Sequence, residues 1–202
     1  MRSYARSFIL LLLPLLSRGQ TCDLVSTVAG SGAIVGGQGT SVDGTGTNAG
    51  FYLPYDLASY EAPDGTRFLL VSDEKNYCIR RINLSNGAVV TIAGTAGTSG
   101  HADGYGTNAL FKEMSGITLT ADAQILYIAD RNSNRIREIT LSDVHVRTLA
   151  GTGAAGLVDG PALEAQFNQP NDVGLTPSED YMYIPDKGNN RIRRIQLTGD
   201  SM

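Results

Sequence analysis

The chain predicts an all-β fold built from three copies of one sheet-forming unit. Three observations carry this: an internal repeat, a composition suited to short strands, and brief apolar runs bounded by turn residues. Val28-Ala29-Gly30 recurs as Ile92-Ala93-Gly94 and Leu149-Ala150-Gly151. Asp43-Gly44 recurs as Asp103-Gly104 and Asp159-Gly160, followed eight residues later by Phe51, Phe111 and Phe167. Val71-Ser72-Asp73 recurs as Ile128-Ala129-Asp130 and Ile184-Pro185-Asp186, and Ile79, Ile136 and Ile192 follow those aspartates by six. The period is 56 to 60 residues for the Asp-Gly, Phe and Asp motifs, and 64 and then 57 for the Ala-Gly motif. With 24 glycines, no tryptophan and 18% charged residues in a chain of 202, turns and short strands are favoured over long charged helices.

The middle copy justifies each element in order. Gln124 to Ala129 is apolar and rich in Ile and Tyr, the signature of a strand covered on both faces. Asp130 to Asn134 makes a tight turn, because Asp and Asn side chains bond nearby backbone and tolerate left-handed conformations. Ile136 and Ile139 begin a second strand, with Arg135 and Arg137 expected to point away. Val144 to Leu149 forms a third, and in the first copy the matching turn contains the hairpin signal Asn86-Gly87. A Gly-rich loop then leads through Asp159-Gly160, Phe167 and Pro170 to a strand around Val173 to Leu175. Each period thus holds four up-and-down strands, and such sheets repeated radially are the blades of a β-propeller.

The Ala-Gly strand end, Asp-Gly, Phe, Pro and a closing segment together resemble NHL repeats. That segment stands here as Ile128-Ala129-Asp130-Arg131-Asn132-Ser133-Asn134-Arg135-Ile136 and from Ile184 to Ile192. The resemblance covers residues 25–197, with repeats at about 25–82, 89–139 and 146–197. In the first copy Tyr77-Cys78 replaces Asn-Arg, and in the second Met114 replaces proline. The resemblance implies that the strand around Leu57, Ile117 or Val173 lies innermost and the Ala-Gly strand outermost. It also implies a ring of about six blades, and this chain carries three. An open arc, or half ring, is therefore expected. A spare outer strand, Ser26 to Ala29, precedes the first blade, and the last blade ends at Ile195 without one. The chain is then a shortened product of a longer gene, which its ending at Ser201-Met202 favours, or one half of a homodimer that completes the ring.

Residues 1–19 read as a secretory signal peptide: Arg2 and Arg6, a nine-residue apolar run from Phe8 to Leu16, then Ser17 and Gly19 at the cleavage positions. The run is shorter than the ~20 residues that span a bilayer, so no stable membrane anchor is expected. The propeller domain would then be residues 20–202, in an extracellular location. Loss of the leader's three arginines leaves 13 basic against 20 acidic residues, a charge of −7 that argues against nucleic acid. An oxidising compartment permits a Cys22–Cys78 disulfide, since Cys78 takes the place of Arg135 and Arg191, which is expected to face solvent. Asn83-Leu84-Ser85 is a sequon for glycosylation at Asn83.

Each chemical motif has a structural competitor. Asp73, Asp130 and Asp186 precede tight turns and read as turn-capping groups. Asp56 and Asp172 follow Pro54 and Pro170 by two residues, at the start of the innermost strand, with Gly116 in that place in the second blade. Two carboxylates bordering a channel are a candidate Ca²⁺ site. Resemblance extends to propeller enzymes similar to senescence-marker protein and gluconolactonase, which use channel-facing Glu, Asn and Asp around a divalent ion. The G-x-G-x-x-A stretches from Gly44 to Ala49 and from Gly104 to Ala109 run into strands and read as loops, without a dinucleotide. His101 and His145, the only histidines, cannot furnish the channel ligands of zinc-dependent lyase propellers. Arg80-Arg81, Arg135/Arg137 and Arg191/Arg193/Arg194 read as solvated strand arginines. No catalytic residue or resident cofactor emerges. The expectation is a non-catalytic binding module for a protein or glycan partner, and the alternative is a metal-dependent lactonase- or lyase-like enzyme that needs a completed ring.

Overall fold

The structure, a computed structural model, describes residues 24–35, 38–39 and 41–197. The proposed leader and Cys22 lie outside the described residues. A two-residue hairpin, β1 (Ile34–Val35) with β2 (Gln38–Gly39), precedes the first blade. Blade 1 comprises β3 (Gly44–Thr45), β4 (Pro54–Glu61), β5 (Arg67–Asp73), β6 (Cys78–Asn83) and β7 (Ala88–Ala93), in the order β3-β7-β6-β5-β4. Blade 2 repeats it with β8 (Gly104–Tyr105), β9 (Ile117–Leu119), β10 (Ile125–Asp130), β11 (Arg135–Thr140) and β12 (His145–Ala150). Blade 3 has three strands, β13 (Gly174–Leu175), β14 (Tyr181–Asp186) and β15 (Arg191–Gln196). All pairings within the blades are antiparallel. Each two-residue β3 or β8 adds a fifth strand to the expected four, because the Asp-Gly segment docks on the outer strand.

Local chemistry explains the turns. After β10 and β14 the chain makes one 3₁₀ turn and leaves it through Asn134 and Asn190, both left-handed. Tyr77 adopts the same conformation after β5 (φ 57°), where an ordinary side chain is strained. The Asn86-Gly87 hairpin has a four-residue loop, residues 84–87; Asn83 Oδ1 accepts from the backbone N–H groups of Ser85 (2.8 Å) and Asn86 (3.3 Å).

The core lies between successive sheets. Leu70, Ile79 and Ala93 of blade 1 pack with Phe111, Met114, Ile117 and Ile128 of blade 2. Ala129, Ile136 and Ala150 of blade 2 pack with Phe167, Val173, Met182 and Ile184 of blade 3. A fully buried Ile or Phe contributes about 1.5–3 kcal/mol, so each interface is a sizeable part of the stability. Strands β4, β9 and β13 lie at corresponding edges, with β9 touching both others, so the blades converge there.

The arc is open at both ends, as expected. Leu57 is 58% exposed, whereas its counterparts Ile117 and Val173 are 5% and 4% exposed. Ile192 is 70% exposed, whereas Ile79 and Ile136 are fully buried. Ser26 to Ala29, expected as a strand, pairs with no strand among the described residues. Its end is nonetheless held in the repeat's manner: Gly30 N–H donates to Gly46 O (3.1 Å), as Gly94 N–H does to Gly106 O (3.1 Å).

Candidate binding site at the inner strand ends

Most repeated residues are consumed by one buried device, used three times. In blade 2, Arg137 Nη1 donates to Asp130 Oδ2 (3.0 Å) and Leu110 O (3.0 Å), while Nη2 donates to Asp103 Oδ1 (2.8 Å) and Ala102 O (2.9 Å). Its guanidinium lies over Phe111, 5.1 Å from the ring centroid. Arg80 joins Asp73, Asp43 and Phe51 in the same way, and Arg193 joins Asp186, Asp159 and Phe167. The expectation of solvated arginines therefore fails for Arg80, Arg137 and Arg193, which are buried; Arg81, Arg191 and Arg194 stay on the outside. The physical reason is the phenylalanine shelf and the two carboxylates, which supply opposite charge and, with backbone carbonyls, acceptors for both terminal nitrogens of the buried guanidinium.

The aspartates are likewise more than turn caps. Asp73, Asp130 and Asp186 are completely buried, and their Oδ1 atoms accept from Tyr52, Lys112 and Asn168 N–H rather than from the turn's own backbone. Burial pushes the Asp73 and Asp130 carboxyls up, and the arginine and backbone donors pull the other way.

The inner strand ends carry the remaining polar groups. Asp56 Oδ1 accepts from Leu57 N–H (2.8 Å), and its Oδ2 crosses to blade 2 to accept from Ile117 N–H (2.9 Å). Gly116 N–H donates to Asn171 O in blade 3 (3.1 Å). Asn171 Nδ2 donates to the Tyr55 hydroxyl (2.8 Å), tying blade 3 to blade 1. Asp172 Oδ1 accepts from Val173 N–H (2.8 Å) and stands where a side chain on residue 116 would be: a Cβ there would lie 1.9 Å from it. Asp56 and Asp172 thus flank the Gly116–Ile117 step from opposite sides, and the glycine makes room for the neighbouring carboxylate. Among the described residues, no three His, Cys, Asp or Glu side chains stand together as metal ligands. Tyr55 and Asn171 escaped the sequence reading, although both directly follow the repeat's proline.

Beside these ends lies a charged cluster across blades 1 and 2. Glu113, left-handed at φ 55°, accepts from Lys75 Nζ, Arg131 Nη2 (3.2 Å) and Asn132 Nδ2. Arg131 Nη2 also reaches Glu74. The Lys75 hydrogen bond holds the Glu113 carboxyl below its usual range, against the effect of partial burial. No repeat signal marks the cluster, since Leu53 and Gln169 occupy Glu113's place in the other blades.

Other candidates fall elsewhere. Cys78 is fully buried rather than solvent-facing, since Gly94 packs over it; burial first, then Asp73, pushes its thiol up to about 12. Asn83 is partly exposed at the end of β6. His145 is half-buried and stacks on Tyr105, and His101 is exposed in a loop. The G-x-G-x-x-A stretches form a two-residue strand and one 3₁₀ turn, without the long helix that a dinucleotide site uses.

No family model matches the chain. Among curated proteins it is similar to NHL repeat-containing protein 2 of Gallus gallus, 30% identical over 156 residues, and of Homo sapiens, 29% identical over 156 residues. Each alignment covers 74% of this chain and 21% of the relative, so the chain spans about a fifth of their length. Among solved structures it is similar to a protein of unknown function from Bacteroides thetaiotaomicron (TM-score 0.59, 30% identity, 74% of this chain and 36% of that one). An auxiliary nutrient binding protein from Bacteroides ovatus is also similar (TM-score 0.58, 25% identity, 69% of this chain and 37% of that one).

Proposed function

For a chain built of NHL-type β-propeller repeats, we propose the role of a secreted, non-catalytic binding module that takes a glycan at the inner strand ends. The carrying observation is the grouping of Tyr55, Asn171 and Asp172 from blades 1 and 3 around Gly116, held by hydrogen bonds between blades. Tyr55 is 45% exposed and offers a ring face and a hydroxyl, while the amide and carboxylate beside it suit a polyhydroxylated ligand. A small set of placed polar groups beside an aromatic surface is the usual make-up of a ligand site. The nutrient-binding name of the B. ovatus protein supports binding over catalysis.

The test is calorimetric titration and thermal melting of the full chain with a panel of oligosaccharides, alongside Tyr55→Ala and Asp172→Asn. A ligand at 100 times its Kd should stabilise the chain by about 2.7 kcal/mol. Binding abolished by Y55A supports the site; no binding across the panel, with a protein partner recovered instead, overturns the glycan assignment. Titrating CaCl₂ in the same melts tests the Asp56/Asp172 cation site. A calcium-induced rise in Tm that D172N removes would make the site ion-dependent.

A further inference from the structure

Blade 3 lacks an outer strand among the described residues, and residues 25–29, which match the outer strands β7 and β12 in sequence, pair with no sheet there. We infer that residues 25–29 of one copy complete blade 3 of a second copy, and that the two copies do so reciprocally. The pairing is specified residue by residue by the two interfaces that the chain already makes with itself. In blade 1, Ile79, Arg80 and Ile82 of β6 face Ala93, Thr91 and Val89 of β7. In blade 2, Ile136, Arg137 and Ile139 of β11 face Ala150, Thr148 and Val146 of β12. The same register on β15 sets Ile192 against Ala29, Arg193 against Thr27 and Ile195 against Val25.

Val25, Ile192 and Asp159 lie open where their counterparts are covered. Val89 and Val146 are 1% and 0% exposed, whereas Val25 is 97% exposed. Thr91 donates through its N–H (2.9 Å) and hydroxyl (3.0 Å) to Asp43, and Thr148 donates likewise to Asp103 (3.1 Å each). The equivalent carboxylate, Asp159, has a side chain 92% exposed, against 52% for Asp43 and 47% for Asp103. Thr27 of a second copy is the donor it lacks. A cavity of about 370 Å³ runs along this edge, lined by Asp159, Ala165, Phe167, Arg193 and Ile195 among others. It lies where a fourth strand would be laid.

The turn beside it repeats the argument. Asn134 Oδ1 accepts from Gln169 N–H (2.9 Å), and its Nδ2 donates to Gly153 O (3.1 Å), sealing blade 2 to blade 3. Asn190 has the same left-handed geometry at the open end. Leu53 N–H and Gly32 O are the matching groups at the other open end, where Leu53 is 56% exposed and left-handed. Gly30 and Ser31 are already anchored on blade 1 by Gly46 O and Ala49 O, so residues 25–29 leave toward the place of a preceding blade. Strand addition supplies main-chain hydrogen bonds, and alternate side chains supply the register.

The test is the solution mass of the full chain by light scattering or sedimentation, with Val25→Asp, Thr27→Pro and Ile192→Asp, and Leu163→Asp as a surface control. V25D touches nothing in a single chain, so its folding is unaffected. The expected result is a dimer, with V25D, T27P and I192D each weakening self-association at least tenfold and L163D leaving it unchanged. A wild-type monomer overturns the proposal and points to further repeats of a longer polypeptide as the occupant. A dimer that V25D and T27P leave intact also overturns it, since association would then lie elsewhere.

Discussion

Blade 2 and blade 3 are written in the same repeat and experience different surroundings. Ile136 and Ile192 occupy one repeat position, and the first is fully buried while the second is 70% exposed. Arg137 is sealed, and Arg193 is held by an aspartate that stands almost wholly in water. The repeat thus specifies which groups meet, and the neighbouring blade decides what each meeting is worth.

The largest effect should come from separating the two arginines energetically. Arg137→Ala leaves Asp130 as a buried carboxylate without its cation, at a cost of about 3–5 kcal/mol. Arg193→Ala leaves Asp186 in a blade that water reaches more easily, and should cost at least ~1 kcal/mol less by the same reasoning. Denaturant unfolding of the two variants checks this, and equal losses would show that the outer blade is as well sealed as the middle one. The isoleucines follow. Ile136→Ala should cost about 2–4 kcal/mol through lost burial and a cavity, and Ile192→Ala within about 0.5 kcal/mol of nothing. Both belong in the V25D background, where no second copy covers blade 3.

The glycines sharpen the same contrast at lower cost. Gly116→Ala places a Cβ 1.9 Å from Asp172 Oδ1 and 2.8 Å from its Cα, so overpacking of about 1–3 kcal/mol is expected. Gly174→Ala meets nothing within 4 Å and should stabilise by up to about 1 kcal/mol. Thermal melts of the pair read the difference directly; a neutral G116A would mean that the Asp172 side chain and its backbone shift aside freely.

The fold was legible because period, turn chemistry and strand-length apolar runs agreed. Arg137 was not, because an arginine between apolar strand residues looks solvent-facing when its partner Asp103 lies 34 residues upstream. The signal was present: Arg80, Arg137 and Arg193 each follow the repeated aspartate by seven residues. Cys78 misled for a related reason. Its position is a seam between blades, where a short side chain is covered while the longer Arg135 reaches out to Thr152 O (2.7 Å). At the inner strand ends Asp56 and Asp172 could be placed from Pro54 and Pro170. The Asn171–Tyr55 bond could not, because it joins residues 116 apart and no periodicity encodes it.

The smallest effect concerns Glu113, whose place is taken in blade 3 by Gln169. Glu113→Gln makes the middle blade resemble the last and removes the carboxylate that Lys75 and Arg131 share. Those side chains are partly exposed, so the loss at neutral pH should stay below about 1 kcal/mol. Acid should erase it. The Glu113 carboxyl lies below its ordinary 4.5 in the folded chain, so the unfolded chain takes up the proton first. Its contribution is complete above that value and is lost as the pH falls through the folded one. Melting curves from pH 7 to pH 3 should therefore show wild type and E113Q converging below about 4.5. Curves that remain parallel to the lowest pH would mean that Glu113 holds blades 1 and 2 together by shape and hydrogen bonding alone.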